Sequence, residues 1–259
     1  TLATSNLDLP TSIMLPSTTK VAPMLSRQAA AGIYTLLPAG FTLDVEGYYK
    51  TMEHLREYNG FSMLYPPIED WESEYPEGRG ISYGAEVSLG YSTGKVNVSA
   101  AYTLSWTKRK FEDMYPEWYL NWNDNRHKLT LSAVWKITDR IDVYSAWNCR
   151  SGNRISVDGY DSSFNRVLSY EFPFRGFGYL GGTPYNLILP SYHRLDLGAN
   201  FRKTTRRGNE SIWNVSIYNV YCRTNPMYAF ITEDDNGQPY GVATGIIPII
   251  PSFSYTLKF

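Results

Sequence analysis

A two-residue alternation of apolar and polar side chains recurs along most of this chain and restricts its fold more than any other feature. Val96, Val98, Ala100, Tyr102, Leu104 and Trp106 are apolar, while Asn97, Ser99, Ala101, Thr103, Ser105 and Thr107 between them are small or polar. Ile81, Tyr83, Ala85, Val87, Leu89 and Tyr91 repeat the pattern against Ser82, Gly84, Glu86, Ser88 and Gly90. It returns at Leu129, Leu131, Ala133, Trp135 and Ile137, at Leu195, Leu197, Ala199 and Phe201, and at Phe253, Tyr255, Leu257 and Phe259. A β-strand points successive side chains to opposite faces, so each segment has one apolar face and one polar face. The pattern predicts nine strands, at 26–37, 41–57, 79–92, 95–108, 127–138, 141–153, 191–203, 211–231 and 248–259.

The connections alternate in length. Pro38-Ala39-Gly40, Ser92-Thr93-Gly94, Thr138-Asp139-Arg140 and Thr204–Glu210 are short, with the chemistry of tight turns. Between them fall long stretches at 58–78, 109–126, 154–190 and 232–247. Strands of 12 residues or more exceed the usual 5–6 of soluble sheets. Long loops gathered at one end and tight turns at the other are the signature of an outer-membrane barrel. Aromatics near strand ends (Tyr91, Trp106, Trp135, Trp147 and Tyr221) fit a girdle at the lipid–water boundary. With 24 Lys+Arg against 25 Asp+Glu, the chain has no basic field for nucleic acid. No run of about 18 apolar residues is present, which excludes a membrane-spanning helix and leaves a β-barrel open. The predicted fold is an all-β, antiparallel transmembrane barrel with the chain integral to the bacterial outer membrane.

Parity adds a second expectation. A closing strand that ends at Phe259 on the periplasmic side leaves the first of nine strands beginning outside the cell. Complete bacterial barrels have an even number of strands and both ends inside. Residues 1–25 carry Pro10, Pro16 and Pro23 and show no alternation, so a tenth strand there is not expected. The reading is therefore an extracellular loop segment over 1–25 and the C-terminal portion of a larger barrel over 26–259.

The last third of the chain is the most specific. Leu189-Pro-Ser-Tyr-His-Arg-Leu-Asp-Leu-Gly-Ala-Asn-Phe201 resembles a late strand of the TonB-dependent transporters of Bacteroidetes. Trp213–Tyr221, with Tyr218-Asn219 followed by Asn225-Pro226, resembles their penultimate strand, and Ile247–Phe259 resembles their closing strand. Val45-Glu-Gly-Tyr-Tyr-Lys50 with Met52 is similar as well. The resemblance implies a 22-stranded barrel around an N-terminal plug, driving uptake of glycans, peptides or metal chelates through TonB. The plug, the TonB box and the other strands are not in this chain. Implied partners are the rest of the barrel and the plug, TonB, outer-membrane lipid and, in part of the family, a SusD-like surface lipoprotein. The terminal Phe259 resembles the residue that the barrel-assembly machinery reads. No cofactor or resident metal is implied.

Candidate solute-binding residues follow from the faces and loops. Glu86, Arg194 and Asp196 sit on polar faces of their strands, where they either line a lumen or satisfy one another. Trp71, Tyr75, Tyr115, Trp118, Tyr119 and Trp122, with Tyr160 and Tyr170, lie in the long loops, where they either stack on a solute or pack the loops together. Glu69, Asp70, Glu72, Glu74 and Glu77 match no calcium-loop spacing, and Glu233–Gly237 reads as a turn. Cys149 and Cys222 have no metal-ligand spacing and are free or bridged. Two other classes remain: a self-contained small porin-like barrel, and a barrel hydrolase built on His193 near Asp196 or His127 near Asp124.

Overall fold

The computed structural model describes residues 2–4, 12–57, 71–155, 184–185, 187–205, 208–226, 228–233, 239–245 and 249–259. The strands are β1 (Leu2–Thr4), β2 (Ser12–Met14), β3 (Leu25–Leu37), β4 (Phe41–Glu57), β5 (Glu77–Ser92) and β6 (Val96–Phe111). They continue with β7 (Tyr115–Leu120), β8 (His127–Lys136), β9 (Ile141–Arg150), β10 (Arg154–Ile155), β11 (Leu187–Ile188) and β12 (Tyr192–Thr204). The last are β13 (Glu210–Tyr218), β14 (Tyr228–Glu233), β15 (Pro239–Thr244) and β16 (Ile250–Lys258).

Nine of them form one antiparallel meander in the order β3-β4-β5-β6-β8-β9-β12-β13-β16, the nine that the alternation predicts. Among the described residues the two outer strands pair on one side only, β3 with β4 and β16 with β13. The turns at one end are as short as expected, and hydroxyl side chains shape two of them. Thr93 Oγ1 accepts the Val96 N–H at 3.0 Å, and Thr138 Oγ1 accepts the Ile141 N–H at 3.0 Å. Such hydroxyl-to-backbone bonds mimic a turn of main chain. In the Pro38–Gly40 turn, Ala39 and Gly40 both have positive φ, at 63° and 84°. A Cβ on Gly40 would lie 2.7 Å from the Ser92 carbonyl oxygen, so the neighbouring strand end requires glycine there.

Several boundaries differ from the sequence reading. The strand expected over 211–231 is two elements: β13 stops at Tyr218, and β14 belongs to a separate hairpin with β15. The break falls at Asn219 and Cys222, whose φ values of 55° and 56° cannot continue a strand. The stretch expected to be loop over 109–126 carries the end of β6 and all of β7, which folds back on β6 across a bulge. Within 1–25, β1 and β2 are short strands, and β1 lies parallel to the end of β4 rather than adding a further long strand.

The two faces of the meander differ as the period requires. Val45, Val87, Val98, Leu131, Trp135, Leu197, Phe201, Val215 and Phe253 stay exposed on the apolar face. Aromatic clusters mark its upper and lower limits. Phe41 meets Tyr91 at 4.6 Å and Trp213 meets Tyr255 at 4.6 Å near the short turns. Tyr49 meets Tyr83 at 6.4 Å and Tyr83 stacks on Trp106 at 5.3 Å toward the long connections. Phe41 and Tyr49 are eight residues apart on β4, about 27 Å of strand and roughly 20 Å of height after a barrel's tilt, close to a bilayer's apolar band. The buried apolar side chains are elsewhere: Leu15, Val21, Leu55, Tyr75, Phe111, Tyr119, Tyr185 and Leu189 all lie toward the long connections. A water-soluble sandwich would bury the middle of its sheet; this one leaves its largest apolar surface outside any core, as lipid contact demands.

Candidate functional site

The polar face is read from the register. One transverse row runs Glu46, Glu86, Thr103, Lys128, Arg150 and Tyr192 across β4, β5, β6, β8, β9 and β12. Glu86, a predicted site residue, therefore stands directly opposite a second carboxylate, Glu46. Lys128 and Arg150 stand opposite each other in the same row. The row is acidic on β4–β5 and basic on β8–β9.

Arg194 and Asp196, also predicted, meet at 2.9 Å on the polar face of β12. Arg194 additionally donates to the hydroxyls of Tyr192 at 3.0 Å and Tyr218 at 2.8 Å, and its guanidinium lies 4.1 Å from the centre of the Tyr218 ring. The second oxygen of Asp196 accepts the backbone N–H of the fully buried Asn219 at 2.9 Å. Asn225 completes the joint, accepting from His193 N–H and donating to His193 carbonyl, each at 3.0 Å. The motif residues on β12 and after β13 are thus one polar joint, in which an ion pair anchors the point where β13 ends. Lower on the same face, Asp142 pairs with Arg202 and accepts from Asn200 at 2.8 Å; Asn200 accepts from Asn214, which also donates to Tyr144. The Tyr144 ring crosses Gly198 to reach Asn214, where any Cβ would overlap it at 2.2 Å.

The predicted loop aromatics separate. Tyr119 is buried on β7, packed with Leu55, Phe111 and Tyr185, and Tyr115 packs against that cluster. Trp71 meets the buried Tyr75 edge-on at 6.2 Å. Trp118 and Trp122 are each 43% exposed and are the two of this set presented to solvent. Phe259 is exposed at the end of β16. Tyr160 and Tyr170 lie outside the described residues, as do Glu69, Asp70 and most of Glu233–Gly237. Glu72 and Glu77 serve separate partners, Glu72 taking Lys20 and Thr18, Glu77 taking Arg56 at 2.6 Å and His54 at 2.8 Å. Both cysteines are free thiols.

Neither His–Asp juxtaposition assembles. His193 and Asp196 are three residues apart on one strand, hence on opposite faces. His127 Nδ1 meets the Tyr102 hydroxyl at 2.8 Å, whereas Asp124 is taken by Thr107 N–H, Arg126 and Arg154.

Sequence reasoning passed over the buried charged groups Arg56, Glu57 and Asp142, of which Glu57 is the most enclosed. Glu57 is fully buried at the end of β4, accepts from the Tyr119 hydroxyl at 2.8 Å and lies 3.9 Å from Arg109. It sits eight residues beyond Tyr49, above the aromatic boundary. Burial pushes its carboxyl up, with Arg109 and the Tyr119 hydroxyl pulling the other way. Burial, then the Glu57 charge, pushes the Tyr119 phenol up. Nearby, hydrogen bonds from Lys110 and Arg79 hold the exposed Glu112 carboxyl below the usual carboxylate range.

No family model matches this chain, and no curated protein matches its sequence. Solved structures do match in fold. The ferric-catecholate import receptor Fiu from E. coli K12 is 16% identical over 93% of this chain and 28% of its own length, with a TM-score of 0.54. The ferripyoverdine receptor of the Pseudomonas aeruginosa outer membrane is 14% identical over 91% of this chain and 27% of its own length, with a TM-score of 0.56. The copper transporter OprC is 13% identical over 93% of this chain and 31% of its own length, with a TM-score of 0.54. The chain spans less than a third of the length of each. The likeness shows the fold: an antiparallel sheet built as part of the wall of a transmembrane β-barrel.

Proposed function

We propose that this chain is an arc of the barrel wall of a TonB-dependent outer-membrane transporter, taking part in nutrient import rather than catalysis. The observation that carries the reading is the nine-strand meander with an apolar belt outside every core and a charged opposite face. In a closed barrel the apolar face meets lipid and the polar face meets a hydrated lumen. The short turns then point to the periplasm and the long connections to the cell exterior. Residues 1–25 belong with the exterior connections, and further strands continue the wall beyond β3 and β16. A plug domain fills the lumen, TonB couples it to energy, and Phe259 serves barrel assembly. Trp118 and Trp122 at the exterior rim, with Glu86 and the Arg194–Asp196 pair on the wall, are the solute-facing candidates. Tyr115, Tyr119 and Trp71 stiffen the rim.

Proteins of matching fold are named for iron chelates in some cases and for copper in another. The test is cross-linking in the native outer membrane. The polypeptide that contains these residues is expected to be captured on TonB, with capture enhanced by an energised inner membrane. Absence of any TonB adduct under conditions that capture a known receptor would overturn the reading.

A further inference from the structure

Lys128 and Arg150 are in-register neighbours on the polar face, two cations directly across from each other. Such a pair is destabilising unless something compensates it. Three other cations of this face have a carboxylate partner, Arg194 with Asp196, Arg202 with Asp142 and Lys258 with Glu210, whereas Lys50 and Lys136 stand singly without one among the described residues; Lys128 and Arg150 are the in-register pair without one. Among the described residues, no carboxylate comes within ion-pair distance of Lys128 or Arg150. Arg150 is oriented by neutral groups instead. Its Nη1 lies 3.5 Å from the amide oxygen of the buried Asn125, and its guanidinium lies 4.8 Å from the centre of the Tyr192 ring. These contacts hold the cation in place without neutralising it.

Lys128, Arg150 and Arg194, with Thr130, Asn148 and Tyr192, line a hollow of about 360 Å³. That volume is at the lower end of the range of small-molecule sites. Three cations line it and no carboxylate does, while Asp196, outside the lining, forms its ion pair with Arg194 alone; Thr130 and Asn148 add neutral hydrogen-bonding groups.

We propose that this hollow is a binding station for a small diffusible anion bearing carboxylate or phosphate groups. The inference rests on the import reading above and names the class of solute that the wall favours. A dianion bridging Lys128 and Arg150 replaces their repulsion with charge-assisted hydrogen bonds. Glu86 stands in the same row two strands from Lys128, roughly 10 Å away by strand spacing, and discourages the anion from spreading toward β5.

The test uses the protein extracted with detergent from its own outer membrane, an amine-acylating reagent and peptide mass spectrometry. Inorganic phosphate is the probe, compared with chloride at equal ionic strength. Phosphate is expected to slow acylation of Lys128 about fivefold or more, while the turn residue Lys95 reacts equally in both salts. Arg150→Gln is expected to abolish the protection. Thr130→Asp, which supplies a carboxylate inside the hollow, does the same without removing a cation. Equal Lys128 rates in phosphate and chloride overturn the proposal. So does a Lys128 that is unreactive in both salts, which marks a protein carboxylate already seated there. TonB capture is read separately: capture without phosphate protection removes the anion station and keeps the import reading, and protection without capture does the reverse.

Discussion

Glu86 and Lys128 flank Thr103 in one transverse row of the sheet, so opposite charges face the same space from strands on either side of β6. The odd-numbered neighbour Val87 points the other way, in register with Val45 and Tyr102. Spin labels placed singly at Glu86, Val87, Ser88 and Leu89 are expected to alternate. Labels at 87 and 89 collide with oxygen dissolved in lipid, and labels at 86 and 88 collide with a water-soluble nickel chelate. Four labels of equal accessibility would contradict a wall with one lipid face.

Asp196 joins two strands through one side chain, holding Arg194 with one oxygen and the Asn219 N–H with the other. Asp196→Ala strips an acceptor from a buried backbone donor, at about 1–3 kcal/mol. Hydrogen exchange is expected to speed up at Asn219 and the upper end of β13, with the Glu210–Asn214 end little changed. Unaltered exchange at Asn219 would count against the joint.

Gly198 is the floor on which the Tyr144 ring lies. Gly198→Ala displaces that ring and breaks its hydrogen bond with Asn214, an overpacking cost of about 1–3 kcal/mol. Denaturant midpoints for the barrel are expected to fall in Gly198→Ala and to fall further in Gly198→Val. A rise in midpoint would show that the ring moves aside freely.

Glu57 gives the layer at the long-connection end of the sheet a pH dependence of defined sign. Its folded-state carboxyl is raised by burial, so the folded state holds a proton that the unfolded state has lost. The contribution of this group is therefore fully present below its ordinary value near 4.5 and declines as pH rises through the raised folded value. Glu112, lowered by Lys110 and Arg79, acts in the opposite sense: its contribution is present above the ordinary value near 4.5 and is lost as pH falls through its lowered folded value. Amide exchange along β7, followed from pH 4 to pH 7 and corrected for intrinsic rates, is expected to lose part of its pH slope in Glu57→Gln. An identical slope in the variant would remove Glu57 as its source.

The nine wall strands were legible in the sequence because each is in contact with two different media, and the media leave a period of two. Val96–Trp106 shows this plainly, since nothing but the face decides each residue. The end of β13 was not legible: Ile217 and Val220 both look like strand residues, and the stop is a positive φ at Asn219 held by Asp196 from a neighbouring strand. The layer at the long-connection end was hidden for a related reason. Glu57 and Tyr119 are 62 residues apart, and a buried Glu reads in sequence like any loop charge. The β7 strand looked like loop because its Tyr115 and Tyr119 face a small local core rather than lipid. Arg194 and Asp196 were found through the alternation and the motif, whereas Lys128 and Arg150 emerge only when the register sets them side by side.

The size of the native polypeptide tests the central claim most directly. Among the described residues the two outer strands of the nine pair on one side only, and an open edge in lipid leaves backbone groups without partners, which a membrane does not tolerate. A denaturing mass measurement on the species that carries these residues in its own outer membrane is expected to give roughly three times the 29.6 kDa of the 259 residues, in line with the 28% of Fiu that the chain spans. A native species of 29.6 kDa would contradict the account and turn the sheet into a small barrel closed on itself.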